Sequence, residues 1–286
     1  MTIHEQNYVR YEGQLLDGRA PLTIAWTSFR VMLGFTRTKL ILLVLWLMPL
    51  GSIFGVFLEY SVRNSQLGSL ASAESVAPGG EPVAFFIQLS IFSLAILFMA
   101  SGCGVIADDL RYRTFQLYFS KPMTKFEYGL GKFLGLFLLG STITLIPGAL
   151  VSSLRMAFYA RTDFALEVAQ QMGIGYAILT AATAILSSVV LGLSSLTSHT
   201  RYVVLAWLGV LLVPILLSLI ISIAAEGTDA ANLWSLTGNI WLVSKSLLTD
   251  EEVTIPAIAP IAILLGIGGA GLGALARRVH KLEGVA

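Results

Sequence analysis

Six uncharged apolar runs constrain this chain more than any other feature. They cover 40–58, 84–106, 133–154, 172–196, 202–223 and 256–276, and as drawn none holds Asp, Glu, Lys, Arg or His. A helix needs roughly 20 mostly apolar residues to cross a bilayer. Its backbone must also satisfy its own hydrogen bonds there. The runs predict an all-α, polytopic membrane protein with six transmembrane helices. Composition agrees, since only 12% of the residues are charged, against about 25% in soluble domains.

Residues 1–19 are polar and expected in the cytosol. The first 39 residues are too polar for a secretory signal, which needs an early apolar core. Between 21 and 38, Leu22, Ala25, Trp26, Phe29, Met32 and Leu33 recur at three- and four-residue steps, with Thr23, Thr27, Arg30 and Arg37 elsewhere. That spacing predicts an amphipathic interfacial helix; the alternative is a plain lead-in to the first span.

Basic residues favour the cytoplasmic side. With the N-terminus inside, only Arg63, Arg155, Arg161 and Lys245 of the 18 Lys and Arg fall in outer segments (59–83, 155–171 and 224–255). Both termini, the segment 107–132 and the tail 277–286 are therefore expected inside. The first outer segment, rich in Ser, Gly and Ala, reads as a flexible loop. In the last, Leu233, Trp234, Ile240, Trp241 and Leu247 share a helical face, which fits an outer or re-entrant helix, the alternative being a loop with an apolar patch.

Pro49, Pro147 and Pro214 lie inside spans. Each removes a backbone donor and bends its helix, so they are candidate hinges or path residues. Gly51/Gly55, Gly131/Gly135 and Gly269/Gly273 carry the small-xxx-small spacing of close helix contacts.

Chemistry is mostly excluded. Uncharged spans argue against proton or sodium coupling. Gly129-Leu130-Gly131-Lys132 looks like a P-loop fragment, but Phe126 and Phe133 occupy the positions of the first Gly and the Ser or Thr. Lys132 is read as an anchor for the third span. His4, His199 and His280 form no HExxH pair, and G-x-S-x-G is absent. Asp108 and Asp109 point about 100° apart on a helix, poorly placed for a shared metal; they are expected to end the second span and to pair with Arg111 or Arg113. The chain is expected to have no catalytic site, metal or cofactor of its own. The single cysteine, Cys103, has no disulfide partner within the chain. A net charge of +1 gives no reason to expect nucleic acid.

The charged segment 108–132 is where a partner would act. Arg111, Arg113, Lys121, Lys125 and Glu127 carry charge, Phe115, Leu117, Tyr118 and Phe119 an apolar surface, and Pro122 a break. A short helix before Pro122 docking into a soluble domain and a basic loop resting on lipid headgroups both fit.

Thr114, Phe115, Leu117, Ser120, Pro122, Lys125, Tyr128, Gly131 and Lys132, in this order and spacing, resemble the cytosolic loop of permease subunits of ATP-binding cassette (ABC) transporters of the type-2 exporter class. The resemblance implies an exporter permease in a bacterial inner membrane, paired with a second permease copy, identical or related. It also implies a separate ABC ATPase subunit, which binds ATP and Mg. Asp108, Asp109, Arg111, Arg113, Phe115, Phe119, Lys121, Pro122 and Lys125 are the implied coupling residues. The stretch 232–248, with Trp234 and Trp241, is the implied outer gate. Within these residues the fused ATPase and sizeable outer domain of larger members are not seen, and a separate ATPase is the expectation. Its substrate is left open, and the other reading is a membrane scaffold or assembly protein that moves no cargo.

Overall fold

The computed structural model describes residues 20–63, 79–114, 124–160, 162–224, 229–249 and 255–283, and all its regular elements are helical. In order these are α1 (Ala20–Gly34), α2 (Thr36–Leu45), α3 (Leu47–Arg63), α4 (Glu81–Leu97), a π-turn (Phe98–Gly102), α5 (Gly104–Tyr112), α6 (Lys125–Ser141), α7 (Leu145–Tyr159), α8 (Ala165–Leu196), α9 (Thr200–Ala224), a 3₁₀ turn (Asp229–Trp234), α10 (Leu236–Leu248) and α11 (Ile258–Glu283). Five stretches are long and apolar enough to cross a membrane: Thr36–Val62, Glu81–Tyr112, Ala165–Leu196, Thr200–Ala224 and Ile258–His280. The pair α6 and α7, which meet at 41°, makes a sixth if it is one broken span.

The axis of the bundle is α8. It touches α4, α5, α6, α7, α9, α10 and α11, and its hydroxyl-bearing and small residues suit that place. Thr183, Ser187, Ser188, Ser194 and Ser195 are all buried. Thr183 and Ser187 return their hydroxyls to carbonyls four residues back, so the helix stays slim without orphaned polar groups. At Gly192 a side chain is impossible: a Cβ there would lie 2.7 Å from the Cα and carbonyl oxygen of Gly271 on α11. α11 therefore packs backbone to backbone on α8.

The glycine pairs divide. Gly131 and Gly135 do mark a close contact: a Cβ would meet the Cβ of Ile24 at 2.7 Å and the Cβ of Ser28 at 2.9 Å. This seats α1 along α6. Gly51, Gly55, Gly269 and Gly273 have nothing within 4 Å of an added Cβ; the contact of α11 runs through Gly271 instead.

α1 also departs from the expected segment 21–38. It ends at Gly34, Phe35 takes extended backbone, and Thr36 starts the first span. It buries Ile24, Ala25, Ser28 and Met32, while Leu22 and Trp26 of the expected apolar face are exposed. Arg30 lies over the Trp26 ring at 5.2 Å.

The prolines act by position. Pro49 and Pro147 each fall in the first turn of a helix, α3 and α7, where a missing N–H costs little. The chain breaks just upstream, at Trp46 and at 142–144. At the second break Thr142 and Thr144 donate their hydroxyls to the Leu139 and Gly140 carbonyls, which also accept the Thr142 and Thr144 N–H groups. By contrast α9 runs on through Pro214.

Candidate functional site

Two clusters of charged side chains sit at opposite ends of the bundle. The first flanks the segment 115–123. Four of the implied coupling residues, Phe115, Phe119, Lys121 and Pro122, fall in that segment, outside the described residues, as does the helix expected before Pro122.

α5 carries the second span six residues beyond its expected end at 106, and Asp108 and Asp109 lie within this helix rather than ending it. Asp109 does not pair with Arg111 or Arg113 among the described residues. Its Oδ2 lies 2.6 Å from Lys132 Nζ and accepts the Tyr128 hydroxyl at 2.7 Å; its Oδ1 accepts the Thr114 hydroxyl at 2.8 Å. Lys132 is 7% exposed and also donates to the Val105 carbonyl at 3.4 Å. Sequence reasoning took Lys132 for a membrane anchor and missed its partner. Tyr128 and Lys132, four residues apart on α6, share one face, so a single carboxylate ties α5 to α6.

Both helix ends at this cluster are finished locally. α5 stops at Arg113, whose φ of 55° is left-handed, and the Thr114 N–H returns to the Asp109 carbonyl at 3.1 Å. α6 starts at a capping box: the Thr124 hydroxyl accepts the Glu127 N–H at 3.2 Å, and the Glu127 carboxylate accepts the Thr124 N–H at 2.7 Å. The signal T-x-x-E was present at 124–127.

Asp108 faces another way. Its Oδ1 accepts the hydroxyl of Thr200, the first residue of α9, at 2.8 Å. Arg111 lies over the Tyr112 ring at 5.4 Å, and Arg113 is exposed. Lys125 Nζ is 3.0 Å from Nδ1 of His280 on α11. The cluster thus joins the ends of α5, α6, α9 and α11. Beside it a cavity of about 820 Å³ opens between α1, α2, α5 and α6, with Arg37, Asp108, Asp109 and Lys132 in its wall.

The second cluster was not anticipated at all. The sequence places Arg155 in an outer segment, but α7 continues to Tyr159 and buries the arginine completely. Its guanidinium donates to the Gly79 carbonyl at 2.6 Å and pairs with Glu59 of α3 at 3.4 Å. Tyr60, next to Glu59 on α3, is stacked on Phe158 at 4.6 Å and edge-on to Tyr159 at 5.9 Å.

Near this end lies α10. Ser235 caps it by accepting the Gly238 N–H at 2.9 Å, and the Asn239 amide donates to Leu233 and Ser235 carbonyls, both at 2.8 Å. Its 13 residues span about 20 Å, too short to cross. The expected face is split: Ile240 is buried against the bundle, Trp241 is half-buried, and Trp234 belongs to the 3₁₀ turn and is exposed. No protein-family model and no curated protein matches the chain.

Proposed function

We propose that this chain is the membrane-spanning permease subunit of an ABC exporter. It crosses a bacterial inner membrane six times, counting α6 and α7 as one broken span. α1 lies in the cytoplasmic membrane surface, and both termini and the segment 107–132 are cytoplasmic. Two copies, or two related chains, form the path, and a separate ABC ATPase binds ATP and Mg and drives them.

One observation carries the reading: the carboxylate of Asp109 clamps α5 to α6 at the base of the segment 115–123. A push on that segment then turns two spans as one body, and the Asp108–Thr200 bond passes it on to a third. That is rigid-body coupling through a docked element. The sequence resemblance at 114–132 and the crowding of basic residues on one side support the same assignment. The half-buried Trp241 and exposed Trp234 sit on the outer gate, and Pro49, Pro147 and Pro214 mark where the spans tilt.

Recovery of the chain from native membrane by a C-terminal tag tests it. A soluble protein with a complete P-loop is expected to come along. Charge reversal at Arg111 and Arg113, or Phe115→Ala with Phe119→Ala, is expected to leave membrane insertion intact and to uncouple ATP hydrolysis from transport. Partners without a nucleotide site would point instead to a scaffold and overturn the proposal.

A further inference from the structure

The cavity beside the first cluster has two kinds of wall. On one side Val31, Met32, Phe35 and Val105 present carbon. Val31 and Phe35 are more than half exposed although apolar, so no other part of the described chain covers them. On the other side are fixed charges. Asp109 and Lys132 neutralise each other at 2.6 Å, which leaves Asp108 and Arg37 to set the character of the site. Asp108 spends one acceptor position on the Thr200 hydroxyl, and a carboxylate has roughly four in all. Arg37 has no ion-pair partner among the described residues. At about 820 Å³ the volume lies in the range that takes a ligand of several hundred daltons, roughly 300–1,000 Å³.

A ligand that satisfies this wall needs a cation for Asp108, an anion for Arg37 and an apolar chain. A guanidinium grips a phosphate by paired N–H donors, and a primary ammonium offers three donors to a carboxylate. An anionic lipid without an amine leaves Asp108 unmatched, and a quaternary amine has no N–H to give it. We propose that the cavity binds a zwitterionic amphiphile bearing a primary ammonium and a phosphodiester, the chemistry of phosphatidylethanolamine. The ammonium sits on Asp108, the phosphate on Arg37, and one acyl chain lies along Val31, Met32, Phe35 and Val105. The site requires neither a nucleotide-binding partner nor transport.

The test is native mass spectrometry of the delipidated full-length chain, titrated with dioleoyl phosphatidylethanolamine, phosphatidylcholine and phosphatidylglycerol. The ethanolamine lipid is expected to be retained at least tenfold more tightly than the other two. R37Q is expected to weaken it tenfold, and D108N to abolish its preference over phosphatidylglycerol. T200V, which removes the hydrogen bond to Asp108 but keeps the carboxylate, retains that preference and so separates recognition from folding. V31W, which fills the apolar side, weakens all three lipids without changing their order. Displacement by millimolar phosphoethanolamine assigns the site to a free headgroup, and resistance to it assigns the site to the membrane lipid. Equal retention of the three lipids by the unaltered chain overturns the proposal. So does ethanolamine-lipid binding unmoved by both R37Q and D108N, or a T200V variant that loses the preference as fully as D108N.

Discussion

The hydroxyl of Ser194 on α8 accepts the N–H of Ala107 on α5 at 3.0 Å, inside the bundle and 87 residues away in sequence. The same oxygen accepts the Ile106 N–H at 3.1 Å and donates to the Cys103 carbonyl at 2.8 Å. The bond falls just after the π-turn, where Cys103 N–H reaches back five residues to Phe98, and it meets amides in the first turn of α5. Gly102 lets α8 come close enough, since a Cβ there would crowd Val190 at 3.1 Å. Trp207 and Thr38 grip the same bend, through the Ala95 carbonyl at 3.0 Å and Ser101 at 2.9 Å.

Ser194→Ala is therefore expected to cost about 1–2 kcal/mol, because two buried amides lose their acceptor. Ser195→Ala removes only a bond to Gly192 in its own helix and is expected to cost less than about 0.5 kcal/mol. Reversible unfolding in detergent, compared between the two variants, checks this. Equal losses would show that the link between α5 and α8 carries no special weight.

Gly192→Ala forces a Cβ against the backbone of Gly271, which has no flexible end to yield. α8 and α11 must part, at a cost of about 1–3 kcal/mol. Gly269→Ala meets open space, and alanine is the better helix former by up to about 1 kcal/mol, so this variant is expected to be neutral or slightly more stable. The contrast, read from unfolding midpoints, distinguishes a packed glycine from a merely well-spaced one.

What could be read in advance was the apolar period, and what could not was pairing between its edges. Long runs located the helical stretches because hydrophobicity over about 20 residues is a local property. Glu59 and Arg155 stood one residue past the runs ending at 58 and 154, and a charge at such an edge reads as the end of a helix. Both helices continue, because the two charges meet and the Arg155 guanidinium also donates to the Gly79 carbonyl. Asp109 and Lys132 escaped notice in the same way, as edge residues assigned to nearby arginines or to a headgroup. The bend at 142–144 lay inside one apolar run, where a threonine pair is no weaker in hydropathy terms than its surroundings. Gly192 meets Gly271 across helices, a register that spacing within one helix does not reveal.

Arg155→Met is expected to cost about 3 kcal/mol, since it leaves Glu59 and the Gly79 carbonyl without their shared donor in a buried place. Glu59→Gln costs less, about 1 kcal/mol: this carboxylate is 17% exposed and its contact with Arg155 is the longer one, at 3.4 Å. The double variant E59Q/R155M is expected to lose less than the two single losses together. Unfolding of all four proteins gives the coupling energy directly. Additivity to within about 0.5 kcal/mol would mean that the two charges do not interact.

The clamp at Asp109 makes the last prediction, one that needs no knowledge of cargo. Asp109→Asn weakens three contacts at once and removes the carboxylate charge 2.6 Å from the nearly buried Lys132, whereas Lys132→Met leaves Asp109 with the Tyr128 and Thr114 hydroxyls. Charge-assisted bonds of this kind contribute about 1.5–3 kcal/mol, so D109N is expected to be the more damaging change. Arg111 and Phe126 are both exposed, on the two helices that Asp109 joins, and Cys103 is buried and will not compete for label. Spin labels at positions 111 and 126 are expected to report one narrow distance in the unaltered chain, because α5 and α6 move together. In D109N the distribution should broaden, and K132M should fall between. An equally narrow distribution in all three would mean that the two helix ends are held by something other than this carboxylate, and the lever proposed for the segment between them would lose its base.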